Sequence, residues 1–179
     1  MVRSSLAVLL ALVVPAMAGC SASPQAVTHS DGAGAGGSAG QSTVDKDTTW
    51  TDGTTFSSAV LIKAGATVTI AAGATLHVEG GVQITVQGTL KSAGGAEATL
   101  TGDQPWQGIL VDQGGSLALT NVDIANTSGA ISVNAGAASA TYDQGTISAS
   151  KAPFAVQAGA KLSTSHAFVK GSLGTTRVQ

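Results

Sequence analysis

Four stretches decide the fold: Ile62-Lys63-Ala64-Gly65-Ala66-Thr67-Val68, Val111-Asp112-Gln113-Gly114-Gly115-Ser116-Leu117, Val133-Asn134-Ala135-Gly136-Ala137-Ala138-Ser139 and Val156-Gln157-Ala158-Gly159-Ala160-Lys161-Leu162. Each reads apolar, polar, any residue, Gly, small, any residue, and then usually apolar. The last three begin at positions 111, 133 and 156, a period of about 22 residues. The first lies two periods and a small insertion earlier, and Ile84 or Val86, with Gly88 as its turn, fills the gap. A fixed period of this size marks a repeat architecture whose units stack. It is too short for a four-stranded propeller blade and suits a three-sided coil of short strands. Glycine at one place in each coil permits a backbone conformation that a Cβ resists.

Working outward, the chain from Trp50 onward alternates apolar and polar residues: Val60, Ile62; Val68, Ile70; Leu76, Val78; Val82, Ile84, Val86; Leu117, Leu119; Val122, Ile124. Period-two runs punctuated by Gly are strand signals. The expectation is an all-β domain, a single-stranded right-handed parallel β-helix of about five coils starting near Val60, Val82, Ile109, Ile131 and Phe154. At the usual strand spacing such a stack is roughly 25 Å long. An antiparallel β-sandwich is the alternative fold, and it leaves the recurring glycine register unexplained.

Composition agrees. Of 179 residues 43% are hydrophobic, 10% charged and 3% aromatic, with 24 Gly and 4 Pro. Such a chain is too apolar and too weakly charged for disorder. Its formal charge of −2 and lack of a basic patch argue against nucleic acid as a partner.

The segment Trp106-Gln107-Gly108-Ile109-Leu110-Val111, followed by Leu117-Ala118-Leu119-Thr120-Asn121-Val122-Asp123-Ile124, resembles a coil of the right-handed parallel β-helix proteins of the pectate-lyase-like superfamily. Val68 to Leu76 and Val86 to Leu90 resemble the first coils of secreted bacterial members. The resemblance covers about residues 50–172. It implies the architecture and says little of function, because one fold hosts many chemistries.

The N-terminus divides the chain. Arg3 precedes the apolar run Leu6 to Ala18, which is short for a membrane span and right for a signal-peptide core. The run ends in Met17-Ala18-Gly19-Cys20, which resembles the lipobox of bacterial lipoproteins. That resemblance implies a signal peptide over 1–19, cleavage before Cys20, and acylation of Cys20 that binds the chain to membrane lipid. It also implies an exported protein of the cell envelope, at the outer membrane or cell surface, since Ser21 stands where an inner-membrane retention signal places Asp. Cys20 is the single cysteine, so no disulfide framework exists. Residues 20–43, rich in Gly, Ser and Ala, read as a flexible tether, and 44–179 as the β-helix domain.

Chemistry is sparse. The family's lyases bind calcium through several carboxylates and use a base, and hydrolases need paired carboxylates. The acids Glu79, Glu97, Asp103, Asp112, Asp123 and Asp143 show no such stacking by spacing. His77 and His166 lack zinc-ligand partners. The reading is therefore no catalytic residue, no metal and no cofactor. Asn121, Asp143 and His166 fall ten residues after Val111, Val133 and Val156. They form an expected polar column at a corner, a candidate ligand site whose plainer account is turn chemistry. If Asp143 and His166 share an offset one coil apart, their side chains lie about 5 Å from each other. Thr67 and Thr69 make a Thr-x-Thr strand face whose row is not expected to continue. Trp106 is expected to be packed, and Trp50 to cap the N-terminal end. The function expected is a non-catalytic surface module that binds envelope or extracellular polysaccharide. The alternative is an assembly component self-associating through an open C-terminal edge, with a minimal polysaccharide lyase or hydrolase behind both.

Overall fold

A computed structural model describes residues 40–148, 150–171 and 177–178, the last two by backbone alone. Met17, Ala18, Gly19, Cys20 and the rest of the chain before residue 40 lie outside the described residues.

The described chain is all β, a solenoid with turns of about 23 residues. Each turn contributes one strand to each of three parallel sheets. The first comprises β1 (Ser42–Val44), β2 (Thr48–Trp50) and β3 (Thr55–Phe56). The next comprises β4 (Val60–Ile62), β5 (Thr67–Ile70) and β6 (Thr75–Val78). Then come β7 (Gln83–Val86), β8 (Thr89–Ser92) and β9 (Ala98–Thr101), followed by β10 (Gly108–Val111), β11 (Ser116–Thr120) and β12 (Val122–Ala125). They are followed by β13 (Gly129–Val133), β14 (Ser139–Asp143) and β15 (Thr146–Ser148), and by β16 (Ala152–Val156), β17 (Ser163–Ser165) and β18 (Phe168–Lys170). β19 (Arg177–Val178) pairs with β16. Sheet A runs β1-β4-β7-β10-β13-β16-β19, sheet B β2-β5-β8-β11-β14-β17 and sheet C β3-β6-β9-β12-β15-β18.

Period-two patterning produces this packing directly. Successive residues of a strand point to opposite faces, so each apolar position stacks on its equivalent one coil away. In sheet A one column runs Val60, Ile84, Ile109, Ile131 and Phe154, and its neighbour runs Ile62, Val86, Val111, Val133 and Val156. Sheet B contributes Val68, Leu90, Leu117 and Ala140, and sheet C contributes Leu76, Leu100, Ile124 and Ile147. All but Phe154 and Val156 are buried. The coil expected to start near Val82 is anchored by Ile84 instead. The shift is two residues, so the same face stays inward. The structure also adds a coil before Val60, and its first strand reaches into the segment read as tether.

The repeated glycines turn the corner between sheets A and B. Gly65, Gly114, Gly136 and Gly159 have φ of +87°, +77°, +83° and +82°, the left-handed region where a Cβ is strained. Gly88 acts differently. Its corner is two residues long, and the amides of Gln87 and Gly88 both donate to the Ile62 carbonyl (2.9 and 3.0 Å). A Cβ at Gly88 would strike the carbonyl oxygens of Lys63 and Ala66.

The aromatic residues are structural. Trp106 is fully buried, and its indole donates to the Ala125 carbonyl at 2.9 Å. Trp50 is 5% exposed and meets Phe56 edge-on with centroids 4.6 Å apart, closing the core of the first coil. Tyr142 is fully buried and its hydroxyl donates to the Val122 carbonyl at 2.8 Å. Burial raises its phenol well above the usual range. Among the described residues no buried side-chain nitrogen or oxygen lacks a partner.

Candidate functional site

The corner between sheets B and C carries the expected polar column, with one correction. Asn121 and His166 do occupy equivalent places, both with positive φ (58° and 49°), but the residue between them is Gln144 (φ 52°). Asp143 lies one position earlier, paired with Thr120 on one side and Ser165 on the other. The cause is local. The corner from Asn134 to Ala138 holds five residues, where Asp112 to Gly115 holds four, so everything after it in that coil shifts by one. Equal spacing in sequence therefore does not give an equal place in the coil.

The side chains divide accordingly. Asn121 donates through Nδ2 to the Gly95 carbonyl at 2.8 Å, bracing the preceding corner. Asp143 turns the other way. Its Oδ1 accepts a hydrogen bond from Ser165 Oγ at 2.5 Å and lies 3.3 Å from His166 Nδ1. The His166 side chain is 75% exposed and that of Asp143 34%. The Ser165 hydroxyl, more than the imidazole, holds the Asp143 carboxyl below the ordinary carboxylate range. The structure thus brings Asp143 and His166 together and adds Ser165, which sequence reading had not singled out. A nucleophilic serine needs its hydroxyl on a base that a third group orients. Here the hydroxyl is spent on the carboxylate itself.

Four other acids hold one coil to the next. Asp47, Asp52 and Asp123 each accept the backbone N–H of a residue one coil on, Thr67, Thr75 and Thr146, at 2.8 Å. Asp112 sits in a ladder on the A–B corner, where Gln87 Nε2 and Asn134 Nδ2 each donate to one of its oxygens at 3.1 Å. The bond from Asn134, then that from Gln87, holds its carboxyl below the usual value. The second residue of the V-x-x-G pattern carried this ladder in plain sight, since a polar side chain recurs there. Among the described residues no group of three or more His, Cys, Asp or Glu side chains gathers in metal-ligating reach.

The outward face of sheet B is the other candidate surface. One column reads Thr67, Thr89, Ser116 and Ser139. The column beside it reads Thr49, Thr69, Lys91, Ala118, Thr141 and Ser163. All are partly or fully exposed. The Thr-x-Thr pair stops after one strand, as expected, because Lys91 and Ala118 follow Thr69, but the column through Thr67 continues as hydroxyls through Thr89, Ser116 and Ser139. At its first strands it dips into a depression of about 240 Å³ lined by Asp47, Thr48, Thr49, Thr67, Thr69 and Lys91. A second depression, about 300 Å³, lies on sheet A beside Leu110, Ser132, Asn134, Ala155 and Gln157.

No family model, no curated protein and no solved structure matches the chain.

Proposed function

We propose that the chain is an exported, lipid-anchored β-helix module, akin to the pectate-lyase-like superfamily, that binds envelope or extracellular polysaccharide without cleaving it. The observation that carries this reading is the rank Thr67–Thr89–Ser116–Ser139 with its partly hydroxylated neighbour. Hydroxyls recur along it at the strand spacing, about 4.8 Å. A pyranose in an extended glycan advances by a similar step, so successive sugars meet equivalent donors and acceptors. Trp50, Trp106 and Tyr142 are in the core, so recognition rests on hydrogen bonds and not on these rings. The arrangement of Asp143, Ser165 and His166 gives no activated nucleophile. The lipid anchor rests on Met17-Ala18-Gly19-Cys20.

The test is co-sedimentation of the purified full-length chain with cell-wall sacculi and a panel of neutral and acidic polysaccharides, with polymer viscosity followed in parallel. Saturable binding to one polymer at constant viscosity supports the proposal. Binding to none removes it, and falling viscosity replaces it with an enzyme.

A further inference from the structure

The two ends of the solenoid differ in charge and in how their cores are closed. The first coil carries Asp45, Asp47 and Asp52 against the single Lys46. From Ser150 to Gly171 the chain carries Lys151, Lys161 and Lys170 and no acid, and all three lysines are exposed. The acidic end is closed by Trp50 on Phe56. At the basic end Val169 continues the inward column of Ile124 and Ile147 but is 44% exposed, and its neighbour Phe168 is 64% exposed. These two are the exposed large hydrophobic residues of the described chain. Among the described residues, β17 and β18 are the outermost strands of sheets B and C there, as β2 and β3 are at the acidic end. An outermost strand presents unpaired backbone groups to any strand of matching direction.

We infer that the basic end of one copy docks on the acidic end of a second copy, head to tail, with β17 and β18 laid along β2 and β3 of the neighbour. Complementary charge selects the partner end and speeds encounter. Two basic ends repel, so a tail-to-tail dimer is disfavoured. In the docked pair Val169 is covered by the first coil of the neighbour. A head-to-tail contact is heterologous, so it repeats from copy to copy instead of closing as a dimer. This goes beyond polysaccharide binding and leaves the sheet B face open along the assembly.

The experiment is sedimentation velocity of the purified full-length chain at low salt over a range of concentrations, with two charge-reversed variants. Lys161→Glu/Lys170→Glu makes both ends acidic, and Asp45→Lys/Thr51→Lys makes both ends basic. Each variant alone is expected to lose at least about tenfold in association constant, close to 1.4 kcal/mol. An equimolar mixture is expected to recover association, because every contact between the two variants brings an acidic end to a basic one. Recovery also shows that the variants have folded. A chain that stays monomeric at every concentration overturns the inference. So does association that the lysine variant strengthens, which is the mark of tail-to-tail pairing, or association that neither variant changes.

Discussion

Two residues show how narrowly the core is cut. Tyr142 reaches across one coil to the Val122 carbonyl, and a Cβ on Gly145 would overlap both the phenol oxygen and that carbonyl. Gly145→Ala should therefore cost about 1–3 kcal/mol in chemical denaturation, as overpacking does. Tyr142→Phe should cost about 1 kcal/mol, the net worth of one buried hydrogen bond. Asp112 sets a pH dependence. The amides of Asn134 and Gln87 favour its ionised form, so the folded chain binds fewer protons there than the unfolded one. That stability is present above the unfolded carboxyl value and is lost as pH falls through the lowered folded value. The stability gap between the wild type and Asp112→Asn should hold constant from pH 7 down to the ordinary carboxylate range and shrink only as the pH falls below it, measured by denaturant unfolding. A gap independent of pH would show that the ladder does not hold the charge. The roles of Asn121 and Asp143 were only half legible. Residue type marked both as corner formers, but the direction each turns depends on neighbours one coil away, Gly95 in one case and Ser165 in the other.

At the level of strands and corners, the apolar columns follow from alternation alone, because a strand has only two faces. Val60, Ile84, Ile109 and Ile131 lie in one column although the intervening corners differ in length. Apolar burial corrects the register after each irregular corner. Hence the expected start at Val82 missed by two residues without turning the strand over. Corner lengths were not legible to that precision. The extra residue between Asn134 and Ala138 carries no apolar signal, and it displaced Asp143 from the expected column. The same ambiguity hid the hydroxyl rank, since Thr89 follows the two-residue corner at Gly88. Removing Ala138 should be tolerated far better than removing Ile131. The deletion shortens a surface corner, whereas losing a core position reverses every side chain after it in that strand. Thermal unfolding of the two deletions checks this: a transition retained in the first and lost in the second is expected. Within sheet A, Ile109→Ala removes the middle of a fully packed column and should cost about 2–5 kcal/mol.

The described domain is a stack in which each coil touches only its neighbours, so its stability is a sum of coil and interface terms. The repeat was readable because every coil restates the same physical solution: an apolar pair, a polar corner and a glycine. The surface was not readable, since neither hydroxyl ranks nor end charges can be assembled before the register is known. Seven strands of sheet A give a stack of roughly 29 Å, long enough to present several repeats of an extended polymer. Sheet C offers a control face of similar chemistry, with Thr75, Thr99 and Thr146 outward. The most direct test of a binding face on sheet B is therefore a paired comparison in the full-length chain, measuring affinity for the polysaccharide that co-sediments with the wild type. Thr67→Ala/Thr89→Ala on sheet B removes two hydrogen-bonding groups and should weaken binding about tenfold or more, whereas Thr99→Ala/Thr146→Ala on sheet C should leave it within about twofold. Equal loss on both faces, or no loss on sheet B, would contradict the assignment of the hydroxyl rank as the binding surface.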